Sequence, residues 1–291
     1  MHAGLVLIDK PEGWTSHDVV ARIRKVAGTR RVGHAGTLDP MATGLLVLGV
    51  ESATKLLTFI VGADKTYEAT IRLGASTITD DRESEFLSKA SADEVARVSE
   101  TAIRGAIAKL SGDIEQVPSS VSAIKVDGVR SYEKVRGGEE VKLKARPVNI
   151  SRFEVVGEPR RVDGFIDVDV IVDCSSGTYI RALARDLGES LGVGGHLTAL
   201  RRTRVGAYTI DHSQALPEVT DTLNVISSFD ASKAFTTLEL DQQQVIDLRH
   251  GKRLSNLGNL TGDIAAVFEG KLIAMLIPSG NQLKSQVVFN D

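Results

Sequence analysis

Hydrophobic positions along the chain recur with two different periods, and together they predict a mixture of strands and helices. Leu5 to Ile8 is a short apolar run closed by Lys10-Pro11-Glu12-Gly13, which reads as a buried strand ended by a turn. Val19, Val20, Ile23 and Val26 then recur at helical spacing. Ser16 is placed to cap that helix and Gly28 to end it, which leaves Arg22, Arg24 and Lys25 largely off the apolar stripe. Gly44 to Val50 predicts a second buried strand. Thr66 to Leu73 alternates, with Tyr67, Ala69, Ile71 and Leu73 facing inward. Gly74 to Ala90 is polar and acidic without a period, as expected of a loop or insertion. Ser91 and Glu94 match a capping box for one long helix, whose stripe runs from Val95 to Leu110. Ile166 to Val172 reads as a half-buried strand and Tyr179 to Leu191 as a helix, and Arg201, Arg202 and Arg204 are expected to close a helical stretch. No repeating strand-helix-strand period links these elements, so the fold class is α+β. Beyond Ser213 the pattern loosens, and Leu254 to Phe289 becomes a series of short strands separated by glycine turns. A β-rich domain of roughly 50 residues there would be marginal unless it docks on the rest.

Composition narrows the function classes. The 291 residues are 42% hydrophobic and 25% charged, as in a globular protein that buries a core. No apolar run approaches the ~18 residues that cross a bilayer, and the N-terminus lacks an export pattern, so a cytoplasmic protein without membrane association is expected. The single cysteine, Cys174, cannot form an internal disulfide, and the six histidines show no metal-ligand spacing, so no metal is expected. The net charge of −3 hides an uneven distribution: Arg22, Arg24, Lys25, Arg30 and Arg31 form an acid-free basic run, while acids gather between Asp80 and Glu100. One basic face on a near-neutral protein is compatible with nucleic-acid binding, and equally with an ordinary solvated surface.

Two segments concentrate chemistry. Gly33-His34-Ala35-Gly36-Thr37-Leu38-Asp39-Pro40-Met41-Ala42-Thr43-Gly44 packs glycines, a histidine, an acid and a proline between a basic helix and a buried strand. No phosphate-loop or dinucleotide fingerprint is present. Cys174-Ser175-Ser176-Gly177-Thr178-Tyr179-Ile180-Arg181 lies at a strand-to-helix junction, where an arginine could hold a carboxylate by a bidentate fork. Asp39 is a natural partner for Arg181. On the residues alone, an Asp-Pro turn and a structural ion pair account for the same groups. Ser122 to Gly128 reads as a hairpin on Asp127-Gly128, with Lys125 protruding.

Taken together, these stretches resemble the bacterial tRNA pseudouridine-55 synthase family. The resemblance is carried by Lys10-Pro11, Gly13 and Ser16; by the Gly33 to Gly44 loop; by Lys65 and Tyr67 leading to Leu73-Gly74; by Ser122-Ala123, Lys125 and Arg146-Pro147; and by Cys174 to Arg181. Ser119-Ser120 stands where a pair of prolines is usual, and Trp14 and His17 occupy variable places.

The resemblance implies a mixed, mainly antiparallel sheet flanked by helices over residues 1–235, and a PUA-like RNA-binding domain over 236–291. It implies an isomerase that converts the T-loop uridine of tRNA to pseudouridine without cofactor or metal, acting as a monomer. By the same resemblance Asp39 is the reacting carboxylate, Arg181 its partner, Tyr67 a ring on the uracil and Tyr179 a pocket residue. Leu200 is an apolar wall and His34 the ring that fills the gap left by the flipped base. Lys10, Lys125 and Arg202 are expected at the substrate, the last two, with Arg22, Arg24, Arg30, Arg31, Arg130 and Lys134, on phosphates. The alternative from another class is a non-catalytic RNA-binding or folding-chaperone protein of the same fold. A glycosidase-type hydrolase needs a second carboxylate as proton donor, and none stands out.

Overall fold

The computed structural model describes residues 3–119, 125–126, 129–130, 143–216 and 219–289. The chain divides into two compact units, residues 1–40, 44–62 and 205–291 in one, residues 41–43 and 63–204 in the other. Among the described residues, no helix is long and apolar enough to cross a membrane.

In the first unit, β1 (Gly4–Lys10) is followed by helix α1 (Ser16–Ala27), β2 (Val32–His34) and β3 (Thr43–Val50). β1 lies antiparallel to β3, with Gly4 opposite Val50 and Lys10 opposite Gly44, and β2 pairs with the far end of β3. Because side chains alternate across a strand, β1 serves two cores. Val6 and Ile8 meet Val19, Val20 and Ile23 of α1, whereas Leu5 and Leu7 meet Ala265, Val267, Met275 and Phe289 near the C-terminus. The C-terminal sheet has five strands in the order Thr236–Glu239, Ile264–Phe268, Lys271–Ser279, Gln282–Val288 and Leu254–Ser255. It buries one face on its own small cluster around the Gln242–Arg249 helix, which the sequence pattern did not predict, and the other on the core that contains β1. That second contact is the docking so small a sheet needs.

The start of α1 differs from expectation. Its cap is Thr15, whose side chain accepts from the Asp18 amide while Asp18 returns a bond to the Thr15 amide. Ser16 is buried and points elsewhere. Arg22 donates to the Val219 carbonyl at 2.7 Å and Arg24 to that of Val32 at 3.0 Å, so part of the basic run is used within the protein.

The second unit is built on an antiparallel sheet. β4 (Lys65–Leu73) lies between the strands Gly195–Val205 and Phe165–Cys174, and Arg146–Val155 and Gly112–Gln116 continue the order beyond the latter. The alternation read for β4 holds, with Lys65, Tyr67, Ala69, Ile71 and Leu73 buried. On its other face, Thr70 donates to Asp169 at 2.7 Å and Arg72 forks onto both oxygens of Asp167 at 2.7 Å, which explains the acids alternating along the neighbouring strand.

Three expectations are corrected here. Gly74 to Ala90 contains a hairpin of Ala75–Thr77 and Phe86–Lys89, and its acids Asp80 and Asp81 are buried. The long helix is two helices, Ala92–Arg97 and Glu100–Lys109, because Val98 turns extended and Ser99 starts a fresh cap on the Ala102 amide. Arg201, Arg202 and Arg204 lie on a strand, Gly195–Val205, and period two turns Leu200 and Arg202 inward together. The backbones of Lys125–Val126 and Val129–Arg130 do pair as a hairpin, whose Asp127-Gly128 turn lies outside the described residues.

Candidate active site

The Asp39 loop belongs almost wholly to the first unit and is held by its backbone. Lys10 is fully buried, and its ammonium donates to the carbonyls of Pro11 at 3.0 Å, Trp14 at 2.7 Å and Pro40 at 3.3 Å. A buried ammonium is costly unless its protons are taken up, and three carbonyls take them here. The Gly13 amide reaches the same Pro40 carbonyl at 2.9 Å. On the other side of Asp39, Ser16 Oγ accepts from the Leu38 amide at 2.9 Å and donates to the Leu38 carbonyl at 3.2 Å. Residues 38 and 40 are thus both fixed, and the half-buried Asp39 between them is presented by a rigid frame. Gly36 (φ 93°), within the loop, and Gly44 (φ 102°), at the start of β3, take positive φ values that glycine adopts without strain. His34 sits at the end of β2, and its ring meets that of His17 edge-on at 5.9 Å.

In the second unit, the Tyr179–Arg181 junction opens the Ile180–Ser190 helix, with Tyr179 as the residue before it. That helix is seated tightly on the start of the Gly195–Val205 strand: a Cβ on Gly188 would lie 2.1 Å from the Gly194 carbonyl carbon, and one on Gly195 would lie 2.3 Å from the Ala184 oxygen. Gln116 reads the backbone of Tyr179 from both sides, accepting from its amide at 2.9 Å and donating to its carbonyl at 3.1 Å. Arg181, only 5% exposed, donates through Nη1 to the Thr79 carbonyl at 2.8 Å and to Ser119 Oγ at 3.3 Å, and lies 3.6 Å from the Asp81 carboxylate. Asp81 accepts at one oxygen from Thr79 Oγ1 at 2.5 Å and from the Glu83 amide at 2.9 Å. A second arginine, Arg185, bridges Asp80 at 3.4 Å, Asp186 at 2.7 Å and the Val117 carbonyl at 2.8 Å. Burial holds the carboxyls of both Asp80 and Asp186 above the usual range, against the pull of Arg185.

Tyr67 is buried in the middle of β4, opposite Val172. Leu200 is buried on the neighbouring strand, where Thr43 Oγ1 donates to its carbonyl at 3.5 Å and Arg201 reaches Thr43 Oγ1 at 3.4 Å. Arg202, expected on phosphate, is 1% exposed. Burial, reinforced by the charge of Arg202, pushes the Lys65 ammonium down to about 8, while Lys65 donates to the Ala63 carbonyl at 2.6 Å. Cys174 stands opposite Lys65 and is buried, which pushes its thiol up to about 11. The side chain of Lys125 lies outside the described residues. Among the described residues, no cluster of His, Cys, Asp and Glu could hold a metal ion.

Sequence reading missed Asp80, Asp81, Gln116 and Ser119. The two acids stood in a stretch without periodicity, and only their burial in the fold distinguishes them from solvated loop residues.

Residues 24–180 match the family described as TruB family pseudouridylate synthase, N-terminal domain, and residues 181–245 match the tRNA pseudouridylate synthase B C-terminal domain. The chain belongs to the TruB family of pseudouridylate synthases. It is 56% identical over 300 residues to the tRNA pseudouridine synthase B of Arthrobacter sp. (strain FB24), covering 99% of this chain and 97% of that one. It is 57% identical over 280 residues to that of Leifsonia xyli subsp. xyli, covering 96% and 90%. Among solved structures, a chain of a Cbf5-Nop10-Gar1 complex is similar in fold, with a TM-score of 0.73 and 24% identity over 98% of this chain and 84% of that one. The α+β class and the mainly antiparallel core are those of TruB-type synthases.

Proposed function

We propose that this protein is a tRNA pseudouridine synthase that isomerises the T-loop uridine, position 55, with Asp39 as the reacting carboxylate. The isomerisation breaks the N1–C1′ bond and forms C5–C1′; C5 loses its proton and N1 gains one, with no redox change. What the protein must supply is an ionised carboxylate held at the sugar and a pocket that retains the free base while it turns. Arg181 orients Asp39, Tyr67 stacks on the uracil, Tyr179 borders the pocket and serves proton transfer, and Leu200 forms an apolar wall. The target uridine must leave the folded loop, at a cost of a few kcal/mol, and the His34 ring occupies its place. Lys10 acts at one remove, through Pro40, and Arg202 supports the wall behind Leu200 rather than gripping phosphate. Lys125 contacts phosphate. Residues 236–291 act as a PUA-like RNA-binding domain after a catalytic domain of residues 1–235, and the protein works as a cytoplasmic monomer.

The observation that carries this reading is the clamp on either side of Asp39: an ammonium on the Pro40 carbonyl and a serine hydroxyl on both backbone groups of Leu38. An ordinary Asp-Pro turn does not need a fully buried lysine to hold it. Names of relatives over 51% identical across nearly the whole chain support the substrate. The test is incubation with an unmodified tRNA transcript, followed by carbodiimide treatment and primer extension. A new stop at the T-loop uridine is expected; its absence at low salt rejects the reading.

A further inference from the structure

The single tryptophan of the chain, Trp14, is 40% exposed on the turn that leads into α1. Its backbone is fixed. The Trp14 carbonyl accepts at 2.7 Å from the Lys10 ammonium, which also holds the Pro40 carbonyl beside Asp39, and the next residue, Thr15, caps α1. Beside the ring lies an open depression of about 500 Å³, lined by Gly13, Trp14, Asp18, Ala21, Arg22 and Lys25 and made more of carbon than of polar atoms. Asp18, Ala21, Arg22 and Lys25 share one stripe of α1, where Ala21 leaves the floor low. The charged groups of this lining differ in what they can offer. Arg22 is committed to the Val219 carbonyl, through Nε at 3.2 Å and Nη2 at 2.7 Å. Asp18 turns its carboxylate back on Thr15, accepting from the amide at 2.9 Å and from Oγ1 at 2.6 Å. Lys25 is exposed two turns further on, about 10 Å along the helix axis from Asp18, where the charge of that acid is largely screened.

We propose that Trp14 is a stacking platform for a nucleobase of the tRNA other than the T-loop uridine, with Lys25 on a phosphate of the same strand. An indole face beside an open slot with a small-residue floor takes a flat, uncharged group, and every nucleobase has that shape. A cation two turns away suits the backbone that runs on from such a base. The run from Arg22 to Arg31 carries five basic residues and no acid, which favours a polyanion over a second copy of a chain whose net charge is −3. Because the turn is already fixed by Lys10 and by the cap of α1, little backbone ordering is needed when the base arrives. Stacking is tolerant of sequence, so the contact adds affinity and sets how the RNA lies over the Asp39 loop, rather than which base is read. This inference rests on the reading that tRNA is the substrate.

Because the sequence has one tryptophan, fluorescence of the full-length protein excited where tyrosine does not absorb reports on Trp14 alone. An unmodified tRNA transcript is titrated into the parent, and affinity is measured separately by filter binding for the parent and for Trp14→Ala, Trp14→Tyr and Lys25→Ala proteins. The parent's emission should be quenched with the midpoint found by filter binding, and bound RNA should shield the ring from acrylamide. Trp14→Ala, which keeps the backbone carbonyl on Lys10, should bind about tenfold more weakly, and Trp14→Tyr within about threefold of the parent. Lys25→Ala should weaken binding at low salt and lower the slope of log affinity against log salt by about one. Unchanged affinity in Trp14→Ala, or a ring in the parent that stays open to acrylamide when RNA is bound, overturns the proposal. Shielding that arises without RNA as the protein is concentrated overturns it too, and assigns the ring to a second copy of the chain. If Trp14→Ala melts lower than the parent, shielding in the parent and the affinity of Trp14→Tyr decide. A parent that does not bind tRNA in the filter assay marks failure of the substrate reading, an outcome distinct from tight binding that leaves Trp14 exposed.

Discussion

The Asp39 loop and the Tyr179–Arg181 junction are held in opposite ways. Asp39 has its backbone neighbours fixed: an amide and an ammonium hold the Pro40 carbonyl and a hydroxyl holds both backbone groups of Leu38, from residues no more than 30 positions away. Arg181 is held through its side chain by residues 62 to 102 positions away in sequence, among them Thr79, Asp81 and Ser119, beside a set of carboxylates and a second arginine. The first arrangement acts on the backbone on either side of the aspartate, which sets where a group that must react with a substrate is presented. The second fixes the direction of a guanidinium, as a group that must orient another requires.

The comparison can be broken most sharply at Lys10. Lys10→Met removes the donor from three part-buried carbonyls, and an unmet polar group costs up to about 1–3 kcal/mol when fully buried. With the Gly13 amide still on Pro40, a destabilisation of about 2–4 kcal/mol is expected in urea titrations, together with a fall in turnover of at least about a hundredfold. Near-parental turnover in that variant would mean that the loop does not need its clamp.

Asp81→Asn attacks the other region. It leaves the buried Arg181 without its full counter-charge, and breaking one side of a buried pair costs about 3–5 kcal/mol at most. About 2 kcal/mol is expected, because the 3.6 Å separation is long for an ion pair and Thr79 remains as an acceptor. Turnover should fall about tenfold or more, with tRNA affinity kept. If affinity falls as much as rate, Arg181 serves binding rather than orientation.

Lys65 sharpens the contrast between the two buried lysines. It donates to the Ala63 carbonyl with the charge of Arg202 nearby, and its folded value lies near 8, below its ordinary 10.5. Between these values the unfolded chain holds a proton that the folded chain has lost, so this residue makes stability rise as pH increases from about 8 to 10.5. Below pH 8 the cost of burying the charge is present in full. Lys65→Met should therefore be stabilised relative to the parent at pH 7, and the difference in urea midpoint should shrink as pH approaches 10. A difference independent of pH would show that Lys65 is not burdened by its burial.

The same contrast explains what was legible in the sequence. The Asp39 loop is local, so its glycines and Asp-Pro pair could be read from one stretch, whereas the holding roles of Lys10 and Ser16 could not, and β1, β4 and the Arg181 helix followed from the pattern of apolar positions. Local competition decided what was misread. Thr15 and Ser16 are adjacent hydroxyls, and only the reciprocal bond with Asp18 selects Thr15 as the cap. Ser99 offers a second cap inside an apolar stripe and divides a helix that periodicity alone would continue. Arg202 looked like a surface cation because its burial comes from strand period beside Leu200, and the arginine cluster hid that period. Asp80 and Asp81 were illegible for a different reason: nothing along the chain indicates that two acids in a polar stretch will be buried against arginines about 100 residues onward.

The central claim is that the carboxylate of Asp39 reacts while the rest of the loop merely holds it. Asp39→Asn keeps the shape of the side chain and the backbone clamp and removes only the charge. Measured on an unmodified tRNA transcript, this variant should bind with the affinity of the parent and form no pseudouridine at the T-loop uridine over many hours. Pseudouridine formed at the parental rate would contradict the account, and loss of both binding and turnover would place Asp39 in recognition instead of chemistry.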